Sequence, residues 1–394
     1  MSSAHWSQAL SRAKAARLTN STDRVRREVE PIDAVHLVRD GRHLINFASN
    51  NYLGLTHHPR LITAMRNALV TFGAGSGAAN LITGQTTAHA HTERRIAEWK
   101  GTEAAVLMPS GYTANLATIG SLATVGRTET KPVRFLLDKL CHASLIDAVR
   151  ASDADYRIFP HNGVEKLERL LTERDTDQLQ VVVTESIFSM DGDAADLHAI
   201  ASLKSRHEFL LLVDEAHSGG VYGQHGSGLA NEMGLADHVD ITIATFSKAA
   251  GVSGGAVCAS GALCEAVVNH GRAMIYTTAM PPVIAVGIET ALDVMRDEPE
   301  RADRVRQLAK HVRESLGIGS DPLDSPIVPI IVGEESRALE AAKQMELQGL
   351  LVVAVRPPTV PRGTSRLRIT LSAEHSDGEV QRLIEAIQAV GRSK

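Results

Sequence analysis

Short apolar runs recur through the middle of the chain, at Val133–Leu137, Val181–Thr184, Phe209–Val213, Ile241–Thr245 and Ala256–Ala259. Helical periodicity fills several of the intervals, over Leu116–Leu122, Glu165–Leu171 and Leu197–His207. Strands that are apolar on both sides and alternate with helices predict an α/β protein with a mostly parallel sheet and helices on both faces. After about residue 285 the pattern changes. A single helical run from Ala285 to Leu316 leads to short strands at Ile327–Val332, Leu351–Val355 and Leu367–Leu371, with helices over 336–348 and 377–390. That order predicts a smaller α+β domain. At the start, Trp6, Leu10, Ala13 and Arg17 fall near helical spacing and predict a docking helix. The same stretch has no acidic residue before Asp23, as a transit segment would, but it is too short and too poor in arginine for one. The expected division is an N-terminal helix and arm (1–46), a large sheet domain (47–285) and a small C-terminal domain (286–394).

Composition narrows the partners. The chain has 394 residues, 43% hydrophobic and 22% charged, with a net charge of −5. This is ordinary for a globular protein and gives no electrostatic footprint for nucleic acid or an anionic membrane. No apolar run reaches the roughly 20 residues needed to span a bilayer. Cys141, Cys258 and Cys264 have neither metal-ligand spacing nor a disulfide framework, which suits a reducing, cytoplasmic setting. His57-His58 and His89-Ala90-His91 lack partners for a metal, and none is expected.

The chemistry gathers where the strands end. In a parallel α/β sheet, ligands bind outside the carboxyl ends of the strands. Asp138, Glu185, Asp214 and Thr245 all fall at or just past such ends. Lys248 follows a buried strand and precedes the Gly-rich turn Gly251-Val252-Ser253-Gly254-Gly255. A lysine alone is more often a solvated surface charge. Here, desolvation would lower its pKa and make the amine nucleophilic, which suits a Schiff base to an aldehyde cofactor. Asp214 and His217 form an Asp-x-x-His set after another strand. An acid opposite a pyridine nitrogen and a lysine on the aldehyde carbon are the two contacts that a pyridoxal phosphate ring needs. His142, just past a third strand, could stack on a flat ring, although such a histidine is more often structural. Ser110–Asn115 reads as a turn entering a helix, where amides can bind phosphate. Gly73–Gly77 reads as a flexible loop over a site. Arg356, Arg366 and Arg368 suit bidentate carboxylate binding or a solvated basic edge.

Together these residues resemble the α-oxoamine synthases, a family of fold-type-I enzymes that use pyridoxal 5′-phosphate (PLP). The likeness spans nearly the whole chain: Ser49–Leu55, Gly73–Gly77, Ser110–Asn115, Cys141–Ser144, Glu185–Gly192, Asp214–His217, the Lys248 segment and Tyr276–Pro282. It implies that Lys248 holds PLP and later moves the α-proton, Asp214 pairs with the pyridinium, His217 bonds the phenolic oxygen and His142 stacks on the ring. Gly111, Tyr112, Glu185, Ser189 and Thr245 would line the cofactor seat, and Thr278 would reach the phosphate of the second subunit of a homodimer with shared sites. His142, Asn50, Arg356, Thr359 and Arg368 would handle substrate, together with an N-terminal arginine, Arg26 or alternatively Arg24. Arg356–Pro361 and Gly363–Ser372 carry a narrower likeness, to members that join L-alanine to pimeloyl-CoA or pimeloyl-acyl carrier protein. Two departures stand out. Cys141 replaces a usual serine, and Ala78-Ala79-Asn80 replaces a usual Gly-Ser-Arg near the acyl substrate, which leaves the acyl chain length open.

Overall fold

The computed structural model describes residues 3–19, 22–173, 177–319 and 322–392. The chain opens with helix α1 (Ser3–Thr19), strand β1 (Glu30–Pro31) and the hairpin β2 (His36–Arg39) and β3 (Arg42–Asn46). Helices α2 (Pro59–Phe72) and α3 (Thr87–Lys100) lead to β4 (Ala104–Met108), α4 (Gly111–Thr128), β5 (Val133–Asp138), α5 (Ala143–Ala151) and β6 (Asp155–Phe159). Then come α6 (Val164–Thr172), β7 (Leu179–Glu185), α7 (Leu197–Ser202), β8 (Leu210–Asp214), α8 (Leu229–Glu232), β9 (Ile241–Thr245) and β10 (Gly255–Ala259). Among the described residues these strands form a seven-stranded sheet in the order β4-β10-β9-β8-β7-β5-β6.

The reason for the continuous apolar runs is visible in the packing. Phe135, Leu137, Val181, Val183, Leu212 and Ile243 face one helical layer, built from α4 and α5 with parts of the following helices. Their neighbours Leu136, Val182, Leu211, Val213 and Ala244 face the other layer. With side chains alternating along each strand, both faces must be apolar. Two strands escape the apolar pattern. β6 sits at the sheet edge with Tyr156 and Arg157 half or fully exposed, and β4 begins with two alanines. β10 pairs antiparallel with both β9 and β4, while the other pairs in the sheet are parallel. The Lys248 loop between β9 and β10 is too short to carry a crossover, so the chain can only turn back on itself.

The structure departs from the sequence reading at two places in the C-terminal part and at one place near the N-terminus. The expected run Ala285–Leu316 is two helices, α11 (Pro282–Asp297) and α12 (Glu300–Leu316), preceded by α9 (Gly261–His270) and α10 (Arg272–Ile275). Pro299 lies at the break, because proline has no N–H to continue the ladder. After β11 (Ile327–Gly333) and α13 (Glu335–Leu347), the expected strand Leu351–Val355 divides. Its first piece, β12 (Leu350–Leu351), pairs parallel with β3. Its second, β13 (Val353–Val355), pairs with β14 (Ser365–Thr370), which also pairs with β11 before the closing helix α14 (Asp377–Arg392). The N-terminal hairpin therefore shares a sheet with a C-terminal strand. Finally, α1 forms but does not dock on this chain: Trp6 is 69% and Leu10 63% exposed. Among the described residues no helix is long and apolar enough to cross a membrane.

One polar cluster anchors the strand ends. Asp138, at the end of β5, accepts from the N–H groups of Leu140 (2.8 Å) and Asn162 (3.0 Å). The His161 ring lies between Asp138 (Nδ1, 3.1 Å) and Asp193 (Nε2, 2.6 Å), edge-on to Phe188. Burial works against a charge on this ring, but hydrogen bonds to both carboxylates push its pKa up to about 10. Asp138 is thus a fastener of the sheet edge. Because the folded pKa exceeds the unfolded value of about 6.5, the stability from this charge is complete below that pH and is lost as pH rises through about 10. A His161→Gln variant is therefore expected to melt below wild type at pH 6, with the gap in Tm narrowing steadily toward pH 10. A gap that stays constant from pH 6 to 10 would show that the charge contributes nothing.

Candidate active site

Lys248 sits in the turn between β9 and β10. Backbone bonds from Phe246 N–H to Gly254 O, Val252 N–H to Phe246 O and Gly251 N–H to Lys248 O fix that turn. Gly251 has φ +66° and lies so close to Leu55 and Thr56 that an added Cβ would stand 2.6 Å from the Thr56 nitrogen. The loop is thereby held against the Leu55 segment with little freedom. Burial lowers the pKa of Lys248, Asp214 and Glu185 oppose that shift, and Arg368 adds to it. An amine in this state is readily available as a nucleophile.

The next two strands beyond β9, β8 and then β7, each deliver an acid. Glu185 and Asp214 are direct partners across β7 and β8, both buried. Burial first, and then the charge of Asp214, push the Glu185 carboxyl well above its ordinary range, so Glu185 keeps its proton. Glu185 accepts a short bond from the His142 N–H. Both oxygens of Asp214 receive donors: Asn115 Nδ2 at 2.9 Å and the Ala216 N–H at 3.0 Å. Glu215, the next residue, turns into the opposite layer and pairs with Lys100 at 2.7 Å, both side chains 1% exposed.

His142 caps α5, and its Nδ1 accepts from the Ser144 N–H at 3.2 Å. Ser144 Oγ lies 2.8 Å from the same nitrogen and accepts from Asn115 Nδ2 at 2.9 Å. Asn115 therefore ties Asp214 to His142 through Ser144. Burial lowers the pKa of His142, with Lys248 adding and Asp214 opposing, so the ring is neutral. His217 is buried, and its Nδ1 lies 2.7 Å from the Tyr52 hydroxyl. Burial, then the charges of Lys248 and Arg368, hold its pKa well below the ordinary range.

The N-terminus of α4 completes the edge. Ser110 caps it, accepting from the Thr113 N–H at 3.1 Å. The first-turn amides of Gly111 and Tyr112 have no intrahelical acceptor and are suited to an anion. A Cβ at Gly111 would stand 2.3 Å from Thr245 Oγ1, so only glycine lets the helix start so close to the β9 end. Tyr112 is 43% exposed, its hydroxyl donating to Asp147 at 2.8 Å. An aldehyde-reactive lysine, an acid served by donors, two neutral histidines and an anion-binding helix end fit the parts of PLP: aldehyde, ring nitrogen, ring oxygen, ring face and phosphate.

A cavity of about 300 Å³ adjoins this edge. Arg24, Arg356, Thr359 and Arg368 line it together with Met190 and Val353–Val355. Arg368, buried on β14, donates Nε to Ser189 O at 2.6 Å and Nη2 to Asn50 Oδ1 at 3.1 Å. This brings Asn50, Ser189 and Arg368 together. Arg366 faces elsewhere and pairs with Asp191. Both N-terminal arginines are exposed; Arg24, the alternative, stands on the wall, and Arg26 is not among the lining residues. Thr278 is exposed on a segment bridged to Ala79 and makes no described contact with Lys248, Asp214 or His217. Gly73–Gly77 lies beside that segment, with Ser76 Oγ donating to Met280 O. Asn115, Ser144 and Tyr52 escaped the sequence reading as site residues. Each belongs to a motif that it quoted, but nothing in a linear pattern shows that their side chains meet.

The comparisons with known proteins agree with this geometry. The family model for aminotransferase class I and II matches residues 42–387. The chain is 40% identical over 393 residues to the 8-amino-7-oxononanoate synthase of Enterobacter sp. strain 638, covering 98% of this chain and 100% of the relative. It is 42% identical over 372 residues to that of Anaeromyxobacter dehalogenans, covering 93% and 92%. Among solved structures, a serine palmitoyltransferase of S. paucimobilis with PLP and myriocin bound superposes with a TM-score of 0.91 at 29% identity, covering 100% of this chain and 99% of that one. The 8-amino-7-oxononanoate synthase of Francisella tularensis superposes with a TM-score of 0.74 at 26% identity, covering 88% and 97%. The chain belongs to the class I and II aminotransferase family, within its α-oxoamine synthase branch, and is a PLP-dependent transferase.

Proposed function

We propose that the enzyme joins L-alanine to a pimeloyl thioester, carried on CoA or an acyl carrier protein, and releases 8-amino-7-oxononanoate, carbon dioxide and the thiol. The observation that carries this reading is the cavity wall. Arg24, Arg356 and Arg368 line one cavity, and the charge of Arg368 acts on Lys248. Alanine brings one carboxylate and pimeloyl brings a second, so two bidentate seats are needed. A long fatty acyl chain would need an apolar wall instead. Glycine with succinyl-CoA, or glycine with acetyl-CoA, are the rival pairs within the branch. The names of relatives at about 40% identity support alanine with pimeloyl. A catalytically silent subunit of the same fold is disfavoured, because Lys248, Asp214, His217 and His142 all converge on one edge.

In this reading Lys248 holds the aldehyde carbon, Asp214 faces the ring nitrogen, His217 the ring oxygen and His142 the ring face. Gly111 and Tyr112 hold the phosphate, with Glu185, Ser189 and Thr245 around the seat. When bound, PLP supplies an electron sink for the charge left on the α-carbon. Arg368 and Asn50 seat the alanine carboxylate, and Arg24, Arg356 and Thr359 orient the acyl group. Lys248, whose pKa burial lowers, takes the α-proton. The α-carbon then bonds to the acyl carbon as the thiol leaves, the carboxylate departs as carbon dioxide, and a proton is returned. The working unit is a homodimer. Ile82 and Tyr276 are exposed apolar side chains beside the Thr278 segment, and Ile62, Leu69 and Val70 are exposed on α2, surface suited to a second copy. Thr278 would serve the phosphate seat of that copy.

Three measurements test the reading. Borohydride reduction of the loaded enzyme is expected to fix PLP on the peptide that contains Lys248; label on any other lysine refutes the assignment. In a steady-state panel, alanine with pimeloyl-CoA should exceed glycine with acetyl-CoA, glycine with succinyl-CoA and serine with palmitoyl-CoA in kcat/KM, and a better rival pair replaces this one. Truncating one arginine of a buried carboxylate pair costs about 2–5 kcal/mol. Arg368 is the buried one, so Arg368→Ala should raise KM for alanine by roughly 30-fold or more, while truncating the exposed Arg24 should raise KM for the pimeloyl thioester by less.

A further inference from the structure

We infer that Tyr52 is a positioning residue that fixes the proton of His217 on Nε2 and links the Arg368 carboxylate seat to the ring-oxygen side of the cofactor. The inference rests on the reading of Lys248 and His217 as cofactor residues. Tyr52 is fully buried, and its backbone carbonyl accepts from the Ala373 N–H at 2.8 Å, so the ring is held at both ends. Its hydroxyl lies 2.7 Å from His217 Nδ1 and 3.3 Å from Asn50 Oδ1. Arg368 reaches it through the shared Asn50 Oδ1, and its charge acts on Tyr52.

The distances choose between two acceptors. The tyrosine hydroxyl has a single proton to give. Asn50 Oδ1 already accepts from Arg368 and is the more distant partner. The proton goes to His217 Nδ1. A neutral imidazole that accepts at Nδ1 carries its own proton on Nε2, and that nitrogen becomes a donor. Burial pushes the Tyr52 pKa up to about 12, with Arg368 opposing, so the hydroxyl keeps its proton at any working pH. The charged and titratable groups facing this pair come from several elements. They are Lys248 from the β9–β10 turn, Arg368 from β14 and His142 from the start of α5.

The arrangement has a direct consequence for coupling. A carboxylate bound to Arg368 reduces the pull of that cation on the Tyr52 oxygen, and the change passes through one hydrogen bond to His217. Without the hydroxyl, His217 is free to carry its proton on Nδ1, and the donor toward an ionised ring oxygen weakens.

The test is a spectral pH titration of the PLP-loaded enzyme, which needs no turnover. Propionate, which is alanine without its amine, serves as the probe of the Arg368 seat. Tyr52→Phe keeps the ring and its packing. It is expected to raise the pH midpoint of the visible cofactor band by about half a unit or more, since a pKa shift of that size corresponds to a modest hydrogen-bond difference. It should also abolish most of the midpoint shift that propionate causes in wild type. A wild-type midpoint and an intact propionate response in Tyr52→Phe would overturn the inference. Imidazole ¹⁵N spectra of wild type, with His217→Asn to identify the signal, provide a check that needs no Tyr52 variant. A proton on Nε2 supports the inference, and a proton on Nδ1 overturns it. Failure of the cofactor reading looks different: wild type would show PLP bound at another lysine, and the inference would fall with it.

Discussion

A carboxylate that ends a central strand cannot stay buried without partners, because an unpaired charge in the interior costs several kcal/mol. Asp214 is in that position, and much of the site is arranged around it. Asn115 and the Ala216 N–H supply donors to its two oxygens, and Lys248 supplies the opposing charge nearby. Glu185, directly beside it, yields by keeping its proton. The neighbouring acid Glu215 is turned into the opposite layer and given its own cation, Lys100. Two acids in sequence thus occupy two separate electrostatic environments, a consequence of alternation at the strand end.

The same logic explains why both site histidines are neutral. Each is buried near Lys248, and a third cation there would find no solvent. Neutral rings have a definite donor and acceptor nitrogen, and the local partners choose which is which. Ser144 sets this for His142, and Tyr52 sets it for His217. His161 shows the contrary case: between two carboxylates, with both ring nitrogens engaged, it holds a full charge.

Much of the large sheet was legible along the chain. β5, β7, β8, β9 and β10 are covered on both faces, so their sequences are largely apolar apart from Arg134, Gln180 and Thr242, and polar residues gather at their carboxyl ends. β6 was not legible, since an edge strand with exposed Arg157 looks like a loop. The reversal of β10 depends on the length of a connection, and the break at Pro299 on a single missing donor. The side-chain network was less accessible still. Asn115 meets Asp214 across 99 positions, and Tyr52 meets His217 across 165. Such encounters depend on which strand lies beside which. The N-terminal arginine shows the same limit. Arg24 and Arg26 are equivalent by residue type, and only the path of the arm puts Arg24 on the cavity wall.

The pairing of β3 with β12 has a further consequence, for the order of assembly during synthesis. Ile45 lies opposite Leu350. The strands of the large sheet, Ala104 through Ala259, emerge well before Leu350 and can fold as a unit. The hairpin β2–β3 must wait with an open edge until Leu350 has left the ribosome. Arg356 and Arg368 follow that late strand. A nascent chain can therefore complete the large sheet first, and the arginine-lined cavity only after these later strands have emerged.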